Sequence, residues 1–432
     1  MPFALHLLAL AVFAQGTSEF MLSGLGPDIA HDLGVSIPAA GALTSAFAIG
    51  MIVGAPLTAV LAVRWPRRPA LFGFLLAFAL VHVVGALTTS FPVLLAARVV
   101  AALANAGFLA VALATAVGMV APDAKGRATS VLLGGTTLAC VAGVPGGALL
   151  GGLLGWRSAF WAVALICVPA LIAVLRSVPA SGPGARGDVR AEARALRGPR
   201  LVTVLLLGAL VNAATFCTFT YLAPVATEVT GIGGSSSLEL PALLALFGLG
   251  SYAGVSTAGR FSDTYPTRVV GIGGAALLLG WVLLALLAGN TAAVLVLAFV
   301  QGGLSFAVGS TLIARALYAA SGAPTLAGGL ATAALNVGAA LGPWAGGLAI
   351  GGGLGYRGVP MVSALLVALA FVVTCVARVV RGGPVARPFS RAEAQVDAQV
   401  EARVEPQVEK RLHTPPARST CASRPCFLPQ SD

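Results

Sequence analysis

The sequence predicts an all-α integral membrane protein with twelve transmembrane helices in two pseudo-symmetric six-helix bundles. Three observations predict it. The 432 residues are 58% hydrophobic and only 9% charged, where a soluble domain carries about 25% charged residues. Apolar stretches long enough to cross about 30 Å of hydrocarbon recur along the chain. Landmarks also return 200 residues later: Gly54, Pro66 and Arg68 as Gly254, Pro266 and Arg268, and LGWR ending at Arg157 as LGYR ending at Arg357. VPGGALLGG around Pro145 is echoed by GPWAGGLAIGG around Pro343. Two six-helix halves related by a parallel repeat are a transporter plan, with the substrate site between the halves near mid-membrane.

The spans fall near residues 5–27, 39–62, 69–88, 92–116, 129–153 and 158–176, and then near 200–222, 240–259, 269–288, 292–313, 326–349 and 359–378. The 54 glycines suit close helix approach in lipid. The first basic residue is Arg64, whereas a signal peptide needs a positive n-region, so the first span is expected to be retained. Alternating helices put fourteen basic residues on one side, from Arg64, Arg67 and Arg68 to Arg315, and two, Arg157 and Arg357, on the other, tail excluded. The positive side is cytoplasmic. Both termini are therefore expected in the cytoplasm, in a multi-pass protein of the inner (plasma) membrane. The organisation reads as a bundle over 1–178, a Pro-, Gly- and charge-bearing cytoplasmic linker over 179–199, a bundle over 200–380 and a tail over 381–432. The tail holds a loose four-residue repeat from Gln395 to Lys410 that Pro406 interrupts. It reads as weakly helical or disordered, with a partner-binding helix as the alternative.

Several function classes are excluded. The net charge of +11 sits in loops and tail, where topology explains it, so nucleic acid is not an expected partner. Cys140, Cys167, Cys217 and Cys375 lie in apolar spans, and Cys421 and Cys426 fit no zinc spacing. No metal and no cofactor are expected. Lys125 and Lys410 are followed by Gly and Arg, so there is no phosphate-binding lysine loop and no ATP hydrolysis. Gly271, Gly273 and Ala276 imitate a dinucleotide fingerprint inside a membrane helix, with no strand before them. With no Asp pair or Ser–His pair legible at membrane depth, the chain is not expected to be an enzyme.

Charge inside the spans is the sharpest signal. Glu19 in span one is the one acid well inside an apolar stretch, and Arg98 in span four the one comparable base. Each costs at least about 2.5–3.5 kcal/mol at the bilayer centre, so each must face a cavity or a partner. Span one runs outward to about residue 27 and span four runs inward, which puts the two roughly 12 and 9 Å from the outer boundary. They are expected to face each other or share one cavity, as proton-coupling residues. A carboxyl whose surroundings differ between inward- and outward-open states loads a proton on one side and releases it on the other. Gln15, Asn105, Asn212, Gln301 and Asn336 are candidate polar points of the substrate cavity, and Phe20, Phe47, Phe108, Phe216 and Phe306 a candidate apolar wall. His82 in span three has no paired ligand and is expected to pack. Gly143, Pro145 and Gly147 in span five form a candidate rocking element, because Pro removes a backbone hydrogen bond and the glycines permit close contact.

Over residues 3–380 the sequence resembles the major facilitator superfamily (MFS transporter fold), and within it the twelve-helix drug:proton antiporters. GTSEFMLSGLGPDIA, RWPRRP, LLAARVVAALANAGFLAVA, KGRATSVLLGGTT, GVPGGALLGGLLGWRSAFW and TFTYLAPV together look most like the actinobacterial chloramphenicol-resistance exporters. Sugar and arabinose efflux proteins share much of the pattern. The resemblance maps the family's helix-four arginine, implicated in proton coupling, onto Arg98. Its loop motif maps onto Gly54 to Arg68, including Arg64, but its usual Asp is Val63 and a usual Gly is Pro66. The second copy keeps Arg260 and Asp263 ahead of Arg268, so the resemblance locates the gating ion pair in the second half. Its antiporter motif maps onto Gly143 to Gly151, with Val144 where a Gly is usual. The resemblance implies proton-coupled efflux of a small amphipathic drug, chloramphenicol above others, by a monomer in the lipid bilayer. Sugar or metabolite efflux is the alternative within transporters, and a membrane sensor or scaffold the alternative outside them.

Overall fold

The computed structural model describes residues 3–61, 65–120, 125–178, 198–232, 238–261, 265–320 and 324–380. Arg64 and Asp263, the linker over 179–197 and the tail after 380 lie outside the described residues. Every regular element among the described residues is helical. Span one is a bent pair, Phe3–Phe20 and Leu22–Asp32, turned by 53°. Spans two to four are Ile37–Leu61, Arg67–Leu87 and Phe91–Gly118. Span five runs Lys125–Leu138, then a π turn Ala139–Gly143, then Val144–Leu154. Span six is Arg157–Ser177.

The second half repeats the plan. Span seven is Pro199–Thr220, Leu222–Val225 and a π turn Ala226–Thr230. Spans eight to ten are Glu239–Phe261, Pro266–Leu287 and Thr291–Ala319. Span eleven is Pro324–Ala349 closed by a π turn Ile350–Leu354, and span twelve is Gly358–Val380. With the bent pair taken as one crossing, the described residues hold twelve helical spans long and apolar enough to cross a membrane. Two compact units emerge, residues 1–375 and residues 376–432, the second described only as helix to Val380.

The repeat holds at the level of atoms. Gly50 lies so close to span four that an added Cβ would sit 2.6 Å from the Val99 carbonyl oxygen, and Gly54 lies against Leu103 and Ala106. Two hundred residues on, Gly250 abuts the Phe299 carbonyl and Gly254 the Gly303 carbonyl. The same glycine step therefore lets span two meet span four and span eight meet span ten backbone to backbone, the contact lipid-embedded helices depend on.

One apolar core gathers first-half residues from Leu5 to Val178. A second gathers Leu201 to Ala370 and also takes Phe20, Ala48, Cys140, Val144 and Ala148 from the first half. Those five mark where the halves meet. Ser45 Oγ donates to the Ala340 carbonyl across spans two and eleven at 2.7 Å. Span five is held on both sides: Gly143, Gly147 and Gly151 face Thr17, Met21 and Leu25 of span one, while the Cys140 carbonyl faces Gly248 of span eight. The irregularity expected at Pro145 falls just before it. Pro145 has no N–H to give the preceding turn, and the helix absorbs this as the π turn over Ala139–Gly143.

Candidate transport site

Span one breaks at Met21, and two side chains serve carbonyls at the break. Ser23 Oγ donates to the Phe20 carbonyl at 2.9 Å. Arg98 Nη2 donates to the Ser18 carbonyl at 2.9 Å while Nη1 donates to Ser18 Oγ at 2.8 Å. The guanidinium lies 4.5 Å above the centroid of the Phe47 ring, a stabilising place for a desolvated cation. Arg98 is 1% exposed, and its Nε has no partner. Arg98 therefore acts as a clasp on the bent helix.

Glu19 does not form an ion pair with Arg98. Among the described residues it makes neither a hydrogen bond nor an ion pair, although Arg98 is the opposite charge that acts on it. It also keeps part of its surface accessible between the buried Ser18 and Phe20. Helical geometry fixes where that surface points. Successive residues turn by about 100°. Ser18 faces Arg98, Phe20 faces the second half, and Thr17 faces span five. Glu19 lies on the arc between the Ser18 and Phe20 directions, opposite Thr17, and Gln15 one turn earlier shares that face. The carboxyl thus borders the junction of the two halves.

The expected depths need one correction. Span one continues to Asp32 rather than residue 27, which on a straight helix would leave Glu19 about 20 Å from the outer end. The 53° bend reduces the advance of the outer segment along the axis to about 0.6 of its length. Its 11 residues, about 16 Å long, then advance about 10 Å. That is how the Ser18–Glu19 turn comes level with Arg98, seven residues into span four.

An aromatic cluster adjoins Glu19. The Phe20 ring lies 5.8 Å from Phe216, 6.3 Å from Phe219 and 6.5 Å from Phe306. Phe219 stacks on Phe247 of span eight at 4.6 Å. Sequence reasoning missed Phe219 and Phe247. Phe219 was findable three residues after Phe216, hence on the same helix face; Phe247 carried no comparable signal. Buried polar atoms without partners occur on the same helices: both amide atoms of Gln15 on span one, the hydroxyl of Thr220, next in sequence to Phe219, and that of Ser305, next in sequence to Phe306.

The other candidates are placed apart. Phe108 is fully enclosed in the first-half core, and Asn105 reaches Met51 Sδ at 3.6 Å. Asn212 donates to the Leu335 carbonyl at 2.7 Å, bracing span seven on span eleven. Asn336 donates to Thr332 of its own helix, and Gln301 donates to the Leu277 carbonyl between spans ten and nine. Arg68 donates to the Leu175 carbonyl of span six. Arg260 is exposed, and Arg268 stacks 5.1 Å from the Tyr265 ring. A cavity of about 410 Å³ beside Trp65, Pro66 and Phe74 shares no residue with the Glu19 group.

The expectation that His82 merely packs is overturned. Its Nε2 lies 2.6 Å from Ser18 Oγ and its Nδ1 2.7 Å from the Phe78 carbonyl. A Ser–His pair does therefore sit at membrane depth, contrary to the sequence reading. It offers no nucleophile to a substrate, because Ser18 is fully buried and His82 only 2% exposed.

Residues 8–251 and 234–425 match the Major Facilitator Superfamily. A chloramphenicol resistance protein of Streptomyces lividans is 60% identical over 86% of this chain and 95% of its own length. The inner membrane transport protein YdhP of Escherichia coli is 35% identical over 84% and 93%. A chloramphenicol efflux pump of Mycobacterium tuberculosis is 33% identical over 80% and 85%. Among solved structures the nucleoside transporter NupG superposes with a TM-score of 0.73 at 15% identity, over 87% of this chain and 99% of that one. The chain is a multi-pass inner-membrane transporter rather than an enzyme, and it belongs to the Major Facilitator Superfamily.

Proposed function

We propose that this transporter exports a small amphipathic drug in exchange for a proton, with chloramphenicol the first substrate to test. One observation carries the reading. Glu19 is a partly accessible carboxyl without an ion pair among the described residues, set where the halves meet, one position from the aromatic cluster. The names of the relatives in Streptomyces lividans and Mycobacterium tuberculosis support the choice of drug.

In this mechanism Phe20, Phe216 and Phe306 hold the apolar part of the drug, and Gln15 offers an amide to its polar groups. Glu19 takes a proton while the site faces outward and releases it inward, and Arg98 couples the charge on Glu19 to the bend of span one. Gly143, Pro145 and Gly147 supply the surface over which span five moves on span one. Both termini lie in the cytoplasm, and a single chain holds the whole site. One proton entering per neutral drug leaving moves net charge, so membrane potential adds about 2.3 kcal/mol per 100 mV to the pH gradient. The test is Glu19→Gln in proteoliposomes loaded with labelled chloramphenicol. The variant should fold and insert but lose transport driven by a pH gradient. Undiminished pH-driven transport by Glu19→Gln would refute the assignment.

A further inference from the structure

We propose that His82 is a positioning residue for proton coupling: through the Ser18 hydroxyl it orients the Arg98 guanidinium, and with it the break in span one beside Glu19. The inference rests on the antiport reading above.

The hydrogen bonds run in one direction. The Phe78 carbonyl only accepts, so the Nδ1 facing it at 2.7 Å carries a hydrogen. In a neutral imidazole Nε2 is then an acceptor. The Ser18 hydroxyl, 2.6 Å away, donates its single hydrogen to that nitrogen. Its lone pairs are left to Arg98 Nη1 at 2.8 Å. The chain therefore reads Arg98 to Ser18 to His82 to the Phe78 carbonyl, each donor with one acceptor. Turning the hydroxyl the other way would point its hydrogen at a guanidinium, which has nothing to accept it. His82 thus removes the wrong rotamer of Ser18, and the buried Arg98 keeps the two hydrogen bonds that clasp the helix break.

The surroundings hold this arrangement. His82 is 2% exposed, with Phe78 4.3 Å and Phe160 5.8 Å from its ring centre. The titratable groups around the unit are Glu19 on span one, Arg98 on span four and the Cys140 thiol on span five. Span six contributes the Phe160 ring. The second half shows what the fold needs without coupling: 200 residues on, Glu19, His82 and Arg98 correspond to Phe219, Val282 and Ala298. None of these three second-half residues is ionisable, and Val282 is 38% exposed where His82 is buried, so the second half does without a buried Arg–Ser–His chain at this place.

The test compares two modes of chloramphenicol movement in proteoliposomes: uptake driven by a pH gradient, and counterflow of labelled against unlabelled drug, which needs no net proton movement. His82→Leu should lose pH-driven uptake by at least about tenfold, a typical coupling effect, while counterflow falls less than about threefold. His82→Gln, whose amide oxygen can accept from Ser18, should recover most of the loss. Ser18→Ala should match His82→Leu, and the double variant should be no worse than either, because the two act through one interaction. The proposal is overturned if His82→Leu keeps pH-driven uptake, if His82→Gln is as defective as His82→Leu, or if both modes fall together. If the unaltered protein shows counterflow but no pH-driven uptake, the antiport reading itself fails.

Discussion

Replacing Gly250 by Ala tests whether backbone contact between spans eight and ten holds the second half together. An added Cβ would overlap the Phe299 carbonyl oxygen and lie 2.8 Å from its carbon, where about 3.5–4.0 Å is comfortable. The neighbour is backbone and cannot rotate away, so the helices must part by close to 1 Å. Overpacking of this kind costs about 1–3 kcal/mol. For a unit of 150–250 residues, the size of one half, that is about 2–12 °C in melting temperature. Gly50→Ala meets Val99 and Ala102 in the first half at 2.6 Å and should cost a similar amount. The two sites lie in different bundles, so their effects should add. Gly271→Ala is the control, since an added Cβ there meets nothing within 4 Å. It should be neutral or slightly stabilising, because Ala is the better helix former. The assay is a thermal melt of the purified protein in detergent, read as the fraction remaining monodisperse. If Gly250→Ala melts with Gly271→Ala, the close approach of spans eight and ten is not as described.

Two further outcomes bear on the site. Arg98→Lys keeps the charge but cannot span both oxygens of Ser18, so one charge-assisted hydrogen bond worth about 1.5–3 kcal/mol is lost. PH-driven drug transport in everted vesicles should fall roughly 10- to 100-fold at unchanged expression, and wild-type rates would show that the clasp does not matter. Phe20→Ala removes three ring contacts at the junction of the halves, each worth about 0.5–1.5 kcal/mol. It should raise the KM for chloramphenicol at least about tenfold and, because the same contacts hold the folded junction, lower the thermal midpoint by about 3–18 °C; an unchanged KM would take Phe20 out of the drug site.

Most of the fold was legible because lipid imposes one rule on every helix. Eight of the twelve crossings start and stop within four residues of where apolar length and flanking Gly, Pro and Arg place them, while spans one, seven, ten and eleven run on to Asp32, Thr230, Ala319 and Leu354. The break in span one was not legible. No Pro marks it, and it is held from outside by Arg98, a contact between residues 80 apart. The pairing of Glu19 with Arg98 looked natural from depth alone, but depth carries no information about azimuth, and one step of about 100° separates the residue Arg98 holds from the one it leaves open. Ser18 and His82 were passed over for a related reason. Each alone is a common polar residue in an apolar helix, and only their approach across 64 positions gives them a role. Gln15, by contrast, was identified from sequence by its polarity, and it is the one carboxamide among the candidates whose two amide atoms both lack partners.

The two halves show why the charge belongs where it does. Span seven breaks at Tyr221, 200 residues after the break at Met21. There the ends are pinned without charge: Tyr221 donates to the Pro343 carbonyl at 2.8 Å, and Thr218 pairs with Ser363, which donates to the Ala214 carbonyl. A broken helix at this position therefore needs only neutral hydrogen bonds. The first half uses a guanidinium for the same task and places a carboxyl next to the residue it grips. A neutral clasp holds one geometry regardless of proton concentration. A charged clasp beside a carboxyl feels that carboxyl gain or lose its charge, because the pair interacts in a medium of low dielectric. The fold breaks the corresponding helix in each half, and only the first break has Glu19, His82 and Arg98 beside it, the groups through which the proposed proton coupling would act.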